Sequence, residues 1–142
     1  MNKIAAVVVV MLALLVPAMA EDNKTLPDMI GNWTGSWDLV QFSKSTDWQN
    51  TGNVTFVKDA NSTLVIDEQN DNMFAGKMVL EINPKAVEKV LGIIDSENES
   101  VTMVDEDGVL YGWFLSPTEL EMTYQGISNE GIIVKDGKFT KE

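Results

Sequence analysis

The fold of this chain is decided by the stretch Gly31-Asn32-Trp33-Thr34-Gly35-Ser36-Trp37-Asp38-Leu39. Both tryptophans and Leu39 occupy odd positions, whereas the even positions carry only polar side chains. Successive side chains of a β-strand point to opposite faces of its sheet, so this period of two predicts a strand with one buried and one solvated face. The tryptophans are therefore expected inside, and the side chain of Asn32 outside.

The same alternation continues to the end of the chain. Runs rich in Val, Ile, Thr and aromatic residues are separated by Asn, Asp and Gly, which is typical of strands joined by turns. This pattern predicts strands at 31–42, 52–58, 62–68, 72–82, 91–95, 99–104, 108–115, 118–125 and 131–140. Turns are expected at 67–72, 105–108 and 136–137, and one short helix at 84–91, crossing an end of the sheet.

The alternation also assigns the faces of the later strands. The inward side chains are expected to be Val54, Phe56, Leu64, Ile66, Phe74, Met78, Leu80, Ile82, Val109, Tyr111, Trp113, Leu120, Met122 and Tyr124. Apolar residues are also expected on the outer, wet face, among them Val65, Val79, Leu110 and Phe114.

Consecutive strands with one apolar face cannot remain an open sheet, because that face would be exposed and the two edge strands would be unpaired. Closure into a barrel removes both problems. The sequence therefore predicts an all-β fold, an antiparallel up-and-down meander barrel of about eight strands. A two-sheet β-sandwich is the alternative.

The first twenty residues have the features of a secretory signal peptide. Lys3 precedes an apolar run, which ends in Ala18-Met19-Ala20, and small residues at these positions suit cleavage after Ala20. The predicted organisation is a signal peptide at 1–20, an N-terminal lead-in at 21–29 and a barrel domain at 30–142. A retained leader, acting as a membrane anchor, is the alternative. Either way we expect a secreted, extracellular or cell-surface protein, with a membrane contact only through an uncleaved leader.

The composition argues against several classes of function. The chain has 22 Asp and Glu against 10 Lys and Arg, with no arginine at all, so nucleic acid and anionic lipid are not expected partners. Without His or Cys it has no nucleophilic triad and no common zinc ligand set. The acidic run from Asp105 to Asp107 is interpreted as a hairpin turn rather than a calcium loop. We therefore expect no catalytic residue, no cofactor and no metal, and hence no enzyme.

Acceptor sequences for N-glycosylation are unusually frequent. They occur at Asn23, Asn32, Asn53, Asn61 and Asn98. Such sequences mark surface positions of exported proteins. The alternative is that Asn and Thr are simply common in turns and exposed strands.

The sequence resembles the calycins, the lipocalin and avidin-like barrels. Gly31-Asn32-Trp33 and Gly35-Ser36-Trp37 are similar to their Gly-x-Trp opening, as are Phe74-Ala75-Gly76 after an acidic turn and the ending Gly137-Lys138-Phe139-Thr140. The resemblance implies a meander barrel that holds a small molecule at its open end. Lipocalins usually place an arginine beside the tryptophan, and this chain has none, which favours the avidin-like version.

Aromatic residues are the candidate ligand contacts. Trp33, Trp37, Tyr111, Trp113 and Tyr124 are expected to converge on the barrel interior, with Trp48 in a polar segment at the mouth. Amphipathic rings line many ligand pockets, although the same rings also fill the cores of small barrels. The expected partner is a small apolar or aromatic ligand or a glycan, bound without catalysis at the barrel mouth. The alternative is a glycosylated structural or interaction module of the cell envelope that binds an envelope protein.

Overall fold

Eight β-strands follow one another in the computed structural model, which describes residues 25–44, 52–81, 87–97, 99–128 and 131–142. They are β1 (Gly31–Ser43), β2 (Asn53–Asn70), β3 (Met73–Leu80), β4 (Val87–Asp95), β5 (Ser100–Val104), β6 (Gly108–Ser116), β7 (Glu119–Ile127) and β8 (Gly131–Lys141). Among these described residues, no helix is long and apolar enough to cross a bilayer.

The strands form a closed barrel in sequence order, with every neighbouring pair antiparallel. β1 closes it by pairing with both β2 and β8, so that Trp33 lies opposite Leu64 on one side and Lys141 on the other. Every strand therefore has two neighbours and none has a free edge. The prediction of an antiparallel up-and-down barrel of about eight strands is confirmed.

Large apolar side chains fill the middle of the barrel. Trp33 and Trp37 are fully buried, and the rings of Trp37 and Phe139 pack with their centroids 4.9 Å apart. The other buried apolar residues are Met29, Ala60, Leu64, Ile66, Phe74, Met78, Val90, Ile94, Val101, Met103, Leu110, Leu120, Met122 and Tyr124. These side chains occupy the centre of the barrel, and the larger cavities bordered by described residues lie at its two ends and on its surface.

The lead-in closes one end of the barrel. Met29 is completely buried, and its carbonyl oxygen accepts a hydrogen bond from Trp33 Nε1 at 2.9 Å. Its amide N–H donates to Gln69 Oε1 at 2.7 Å, and Gln69 Nε2 donates to the Pro27 carbonyl oxygen at 3.1 Å. The opposite end, where β1, β3, β5 and β7 finish, is called the mouth below.

Several predicted element boundaries are wrong because strands continue through positions that were predicted to be turns. β2 is one strand where two were predicted: Trp37 pairs with Ala60 but Leu39 with Val57, and Asp59 takes a φ of 53°. The turn expected at 67–72 is confined to its last two residues, because β2 continues to Asn70. The turn expected at 136–137 lies inside β8, where Gly137 faces Trp37. The turn at 105–108 is confirmed.

The predicted helix at 84–91 is also wrong for the part that the structure describes. From Val87 onward the chain is strand β4, whose residues Val87 and Leu91 pair with Val79 and Ala75 of β3. Residues 84–86 lie outside the described ranges. β-Branched side chains at Val87 and Val90 suit a strand at least as well as a helix.

Two strands present the opposite face to the one predicted. Val54 and Phe56 lie on the outer surface, because the irregularity at 58–59 reverses the alternation along β2. In β6, Leu110 is buried instead of Tyr111 and Trp113, since it pairs with the inward Tyr124. The expectation that Leu110 and Phe114 face solvent is therefore wrong: Phe114 packs against the core.

Candidate functional site

The predicted aromatic contacts separate into three groups. Trp33, Trp37 and Tyr124 are buried inside the barrel, whereas Tyr111 and Trp113 are 43% and 49% exposed on its outside. The prediction that all five rings converge on the interior is thus wrong for Tyr111 and Trp113, because the face of β6 that carries them points outward. The sixth predicted contact, Trp48, lies outside the described residues. Trp33 belongs to the closed end, which leaves Trp37 and Tyr124 near the mouth.

The Tyr124 ring is placed at the mouth by two glycines. Gly108 and Gly126 pair across β6 and β7, and a Cβ atom on either would lie 2.6–2.7 Å from atoms of the ring. Such a distance is far shorter than a van der Waals contact, so only glycine leaves space for the ring there. The Tyr124 hydroxyl donates to Asp105 Oδ1 at 3.3 Å, and the same oxygen accepts from the Asp107 amide at 2.9 Å.

Lys135 is the unusual residue of the mouth. It lies on the inward face of β8, is only 8% exposed, and holds its Nζ 4.5 Å from the centroid of the Tyr124 ring. It makes no hydrogen bond or ion pair with any residue that the structure describes. Burial lowers the pKa of Lys135, and the carboxylates of Glu88 and Asp105 oppose that shift.

Glu88 supplies a half-buried carboxyl group to the same end. Burial raises its pKa, the negative charges of Asp105 and Asp107 act in the same direction, and the ammonium of Lys135 acts against them. The pKa of Tyr124 is raised too, first by burial and then by the nearby Asp105 carboxylate. One ammonium, two carboxylates and one phenol therefore share a partly desolvated space.

Two cavities open around these groups. The outer one, of about 200 Å³, is lined by Gln41, Leu80, Glu88, Asp107, Tyr124, Gly126, Ile127, Ser128, Gly131, Ile132, Ile133 and Lys135. Below it a space of about 10 Å³, close to the size of one water, is bordered by Trp37, Met78, Glu88, Asp105, Leu110, Tyr124 and Lys135. Trp37 Nε1 is buried and has no hydrogen-bond partner among the described residues. We call the set of Trp37, Glu88, Asp105, Tyr124 and Lys135 the mouth cluster.

The mouth cluster offers hydrogen bonds in both directions. Lys135 Nζ and Trp37 Nε1 are donors, while the carboxylates of Glu88 and Asp105 are acceptors. In the described part of the chain, no group of three or more acidic side chains is arranged to hold a metal ion. Donors and acceptors placed side by side in this way can hydrogen-bond to a small polar molecule.

A cavity larger than the one at the mouth lies at the closed end. It measures about 410 Å³ and lies between the lead-in and the turns after β4 and β6, lined by Thr25, Leu26, Pro27, Asp28, Ile94, Ser96, Glu99, Phe114, Leu115, Ser116 and Pro117. Neither of the buried polar atoms that lack a partner, Trp37 Nε1 and Ser62 Oγ, borders it. Asp28 at its edge is already paired with Lys141, whose Nζ lies 3.0 Å from Asp28 Oδ2. Apolar surface predominates in this lining, although Thr25, Ser96, Glu99 and Ser116 also border the cavity.

Sequence reasoning missed Glu88 and Lys135. A signal for Lys135 existed, because the alternation of β8 that buries Phe139 also turns Lys135 inward. Lysine is seldom buried, so such a position is easily passed over. Glu88 fell in the segment that was predicted to be helical, where its inward direction could not be recognised.

An uncharged, largely apolar region of the outer surface lies beside the mouth, and a second one, which includes Leu91, Ile93 and Val104, continues from it over β3 to β6. In the first region, two rows of paired residues cross β7, β8, β1 and β2, running Ile127–Ile132–Phe42–Val54 and Gln125–Val134–Val40–Phe56. Phe56 is 77% and Ile127 74% exposed. We call these eight residues the outer patch. None is charged, in a chain whose formal net charge is −12.

The described glycosylation candidates lie on the surface. Asn32, Asn53 and Asn61 are exposed, as an acceptor asparagine must be, while Asn23 and Asn98 lie outside the described residues. Their use as acceptors stays a prediction. Comparison of the sequence with models of known protein families and with curated proteins gives no match.

Proposed function

We propose that this chain is an exported, non-enzymatic, calycin-like barrel that binds a small ligand at its mouth. The observation that carries the proposal is Lys135, an inward-facing lysine that is only 8% exposed and makes no hydrogen bond to any described residue. Burying a charged group that forms no hydrogen bond is unfavourable, and the nearby carboxylates of Glu88 and Asp105 compensate for this only through longer-range attraction. A ligand that hydrogen-bonds to this ammonium would offset that cost. The unused Trp37 Nε1 beside the same small cavity supports the same site.

Native mass spectrometry of the protein recovered from its producing cells, without denaturation, tests this proposal. We expect a chain beginning at Glu21, with sugar increments and an additional small-molecule mass that is released on unfolding. A Lys135→Met variant should lose the small-molecule mass, because methionine fills similar space without donors. The control is Lys138→Met, since Lys138 lies on the outer face in an exposed ion pair with Glu121. A wild-type protein that carries no ligand would contradict the proposal.

A second candidate function is a glycosylated structural module of the cell envelope that assembles through the outer patch. The occupant we propose is a second copy of this chain. Two-fold association brings the same surface of both copies together. Two copies with many acidic side chains repel each other wherever those side chains meet, whereas the outer patch lets them approach without opposing charges. Its exposed apolar side chains would also be removed from water.

The double variant Phe56→Lys and Ile127→Lys tests whether two copies of the chain associate through the outer patch. Sedimentation velocity should show a wild-type dimer at about 50 µM and a variant dissociation constant at least tenfold higher, about 1.4 kcal/mol weaker. The matched control is Leu91→Lys with Ile93→Lys, two apolar residues of comparable exposure on β4. A monomeric wild type, or a dimer that only the control variant disrupts, would exclude the outer patch as the interface.

A further inference from the structure

From the mouth cluster we infer the class of ligand: a neutral, hydroxyl-bearing molecule, of the size of one terminal hexose of a neutral glycan. The inference rests on the proposed binding at the mouth and adds its chemistry. It follows from three features of the cavity, namely its charge, its mixture of donors and acceptors, and its volume.

The charges at the mouth disfavour a ligand of either sign. An anion would meet Lys135 but also the carboxylates of Glu88 and Asp107, which line the same 200 Å³ cavity, and that of Asp105 below. Burial raises the pKa of Glu88, and the nearby Asp105 and Asp107 carboxylates act in the same direction, so a further negative charge is unfavourable there. The place of a cation is already taken by the Lys135 ammonium, which lies over the face of the Tyr124 ring at 4.5 Å and whose charge the carboxylates of Glu88 and Asp105 stabilise. A neutral molecule avoids both problems.

The mixture of hydrogen-bonding groups favours hydroxyls. A hydroxyl donates one hydrogen bond and accepts others, so it can donate to a carboxylate and accept from an ammonium at the same time. Both Lys135, which offers a donor that no described residue uses, and Glu88, which offers an acceptor, line the 200 Å³ cavity. A wholly apolar ligand would leave these buried groups unpaired, which is unfavourable for each of them. Several hydroxyls on a small frame meet the requirement.

The volume limits how much of the ligand is enclosed. A space of about 200 Å³ lies below the roughly 300–1,000 Å³ typical of pockets for drug-sized ligands. A single six-membered sugar ring suits that space better than a disaccharide does, and the remainder of a glycan would extend into solvent. Leu80, Ile127 and Ile133 in the cavity wall provide apolar contact for the C–H face of such a ring.

Isothermal titration calorimetry with disaccharides of matched size tests the ligand class. The probes are maltose, cellobiose, lactose and mannobiose as neutral sugars, digalacturonate as the anion and chitobiose with free amines as the cation. At least one neutral sugar should bind ten or more times more tightly than both charged probes. Lys135→Met should weaken that binding tenfold or more, whereas Lys138→Met should leave it unchanged.

The Lys135→Met variant is expected to fold, because replacing a buried charge by an apolar side chain of similar volume is often neutral or stabilising. Circular dichroism melting curves check this. Tightest binding of digalacturonate or chitobiose, lost in Lys135→Met, would overturn the ligand class and leave the mouth as the binding site. Neutral-sugar binding that Lys135→Met does not change would place the sugar elsewhere and overturn the inference. Failure of all probes would overturn it too, and native mass spectra without a ligand would separately remove the proposed function.

Discussion

The free energy of unfolding is expected to fall by about 3–5 kcal/mol when Trp33 is replaced by alanine. The indole is completely buried, and its Nε1 donates to the Met29 carbonyl oxygen at 2.9 Å. It also packs edge-on against Phe114, with the ring centroids 6.4 Å apart. The substitution leaves a large cavity and an unpaired carbonyl at the closed end. Small domains are stable by only about 5–15 kcal/mol, so this loss is a large fraction of the total stability.

Trp113→Ala is the matched control for this prediction, since it removes the same side chain from the outer face of β6. Trp113 is about half exposed, so its loss should lower the stability by less than about 1 kcal/mol. Urea denaturation followed by circular dichroism gives both values, because it does not depend on the removed fluorophore. Equal losses in the two variants would contradict the assignment of Trp33 to the inside and Trp113 to the outside.

The first strand could be predicted because its two faces differ so clearly. Polar residues at every even position from Asn32 to Asp38 leave only one way to bury Trp33 and Trp37. Burial of one face together with pairing of all edges then requires closure of the sheet. Fold class and strand order follow from these local patterns, with no knowledge of long-range contacts.

β6 could not be oriented from its own sequence, because apolar residues occupy both of its faces. Leu110 and Phe114 compete with Tyr111 and Trp113, and a period of two says nothing about which set is buried. The register with β7 determines which set is buried, since Leu110 lies opposite the inward Tyr124. The reversal in β2 has a similar origin, because the irregularity beside Asp59 is defined by pairing with β1. The orientation of β6 and the reversal in β2 therefore both depend on contacts between residues that are distant in the sequence.

The candidate site was predictable in part, for the same reason. Trp37 and Tyr124 lie in strands with unambiguous alternation, and both are near the mouth. The polar members of the mouth cluster come from β4, β8 and the turn after β5, and only closure of the barrel brings them together. A buried lysine is recognised as unusual only when the strands beside it are known. The chemistry of the mouth is therefore a property of the tertiary structure.

Closure of the barrel between β1 and β8 also makes Gly35 a sensitive position. A Cβ atom there would lie 2.1 Å from the Lys138 carbonyl oxygen and 2.7 Å from Phe139 Cγ. Gly35→Ala is therefore expected to lower the free energy of unfolding by about 2–3 kcal/mol, the cost typical of forcing extra atoms into a packed core. The clash includes a backbone atom, so rotation of the Phe139 side chain alone cannot relieve it.

Ser36→Ala is the control, because Ser36 is the next residue on β1 and belongs to its outer face. The free energy of unfolding of Ser36→Ala should stay within about 0.5 kcal/mol of the wild-type value. In Gly35→Ala, β8 must move away from β1, and β8 carries both Phe139 and Lys135. The stability loss should therefore be accompanied by weaker ligand binding at the mouth, measured on protein that remains folded at 10 °C. If chemical denaturation finds Gly35→Ala as stable as Ser36→Ala, then β1 and β8 are not packed as closely as described, and the position of Lys135 loses its support.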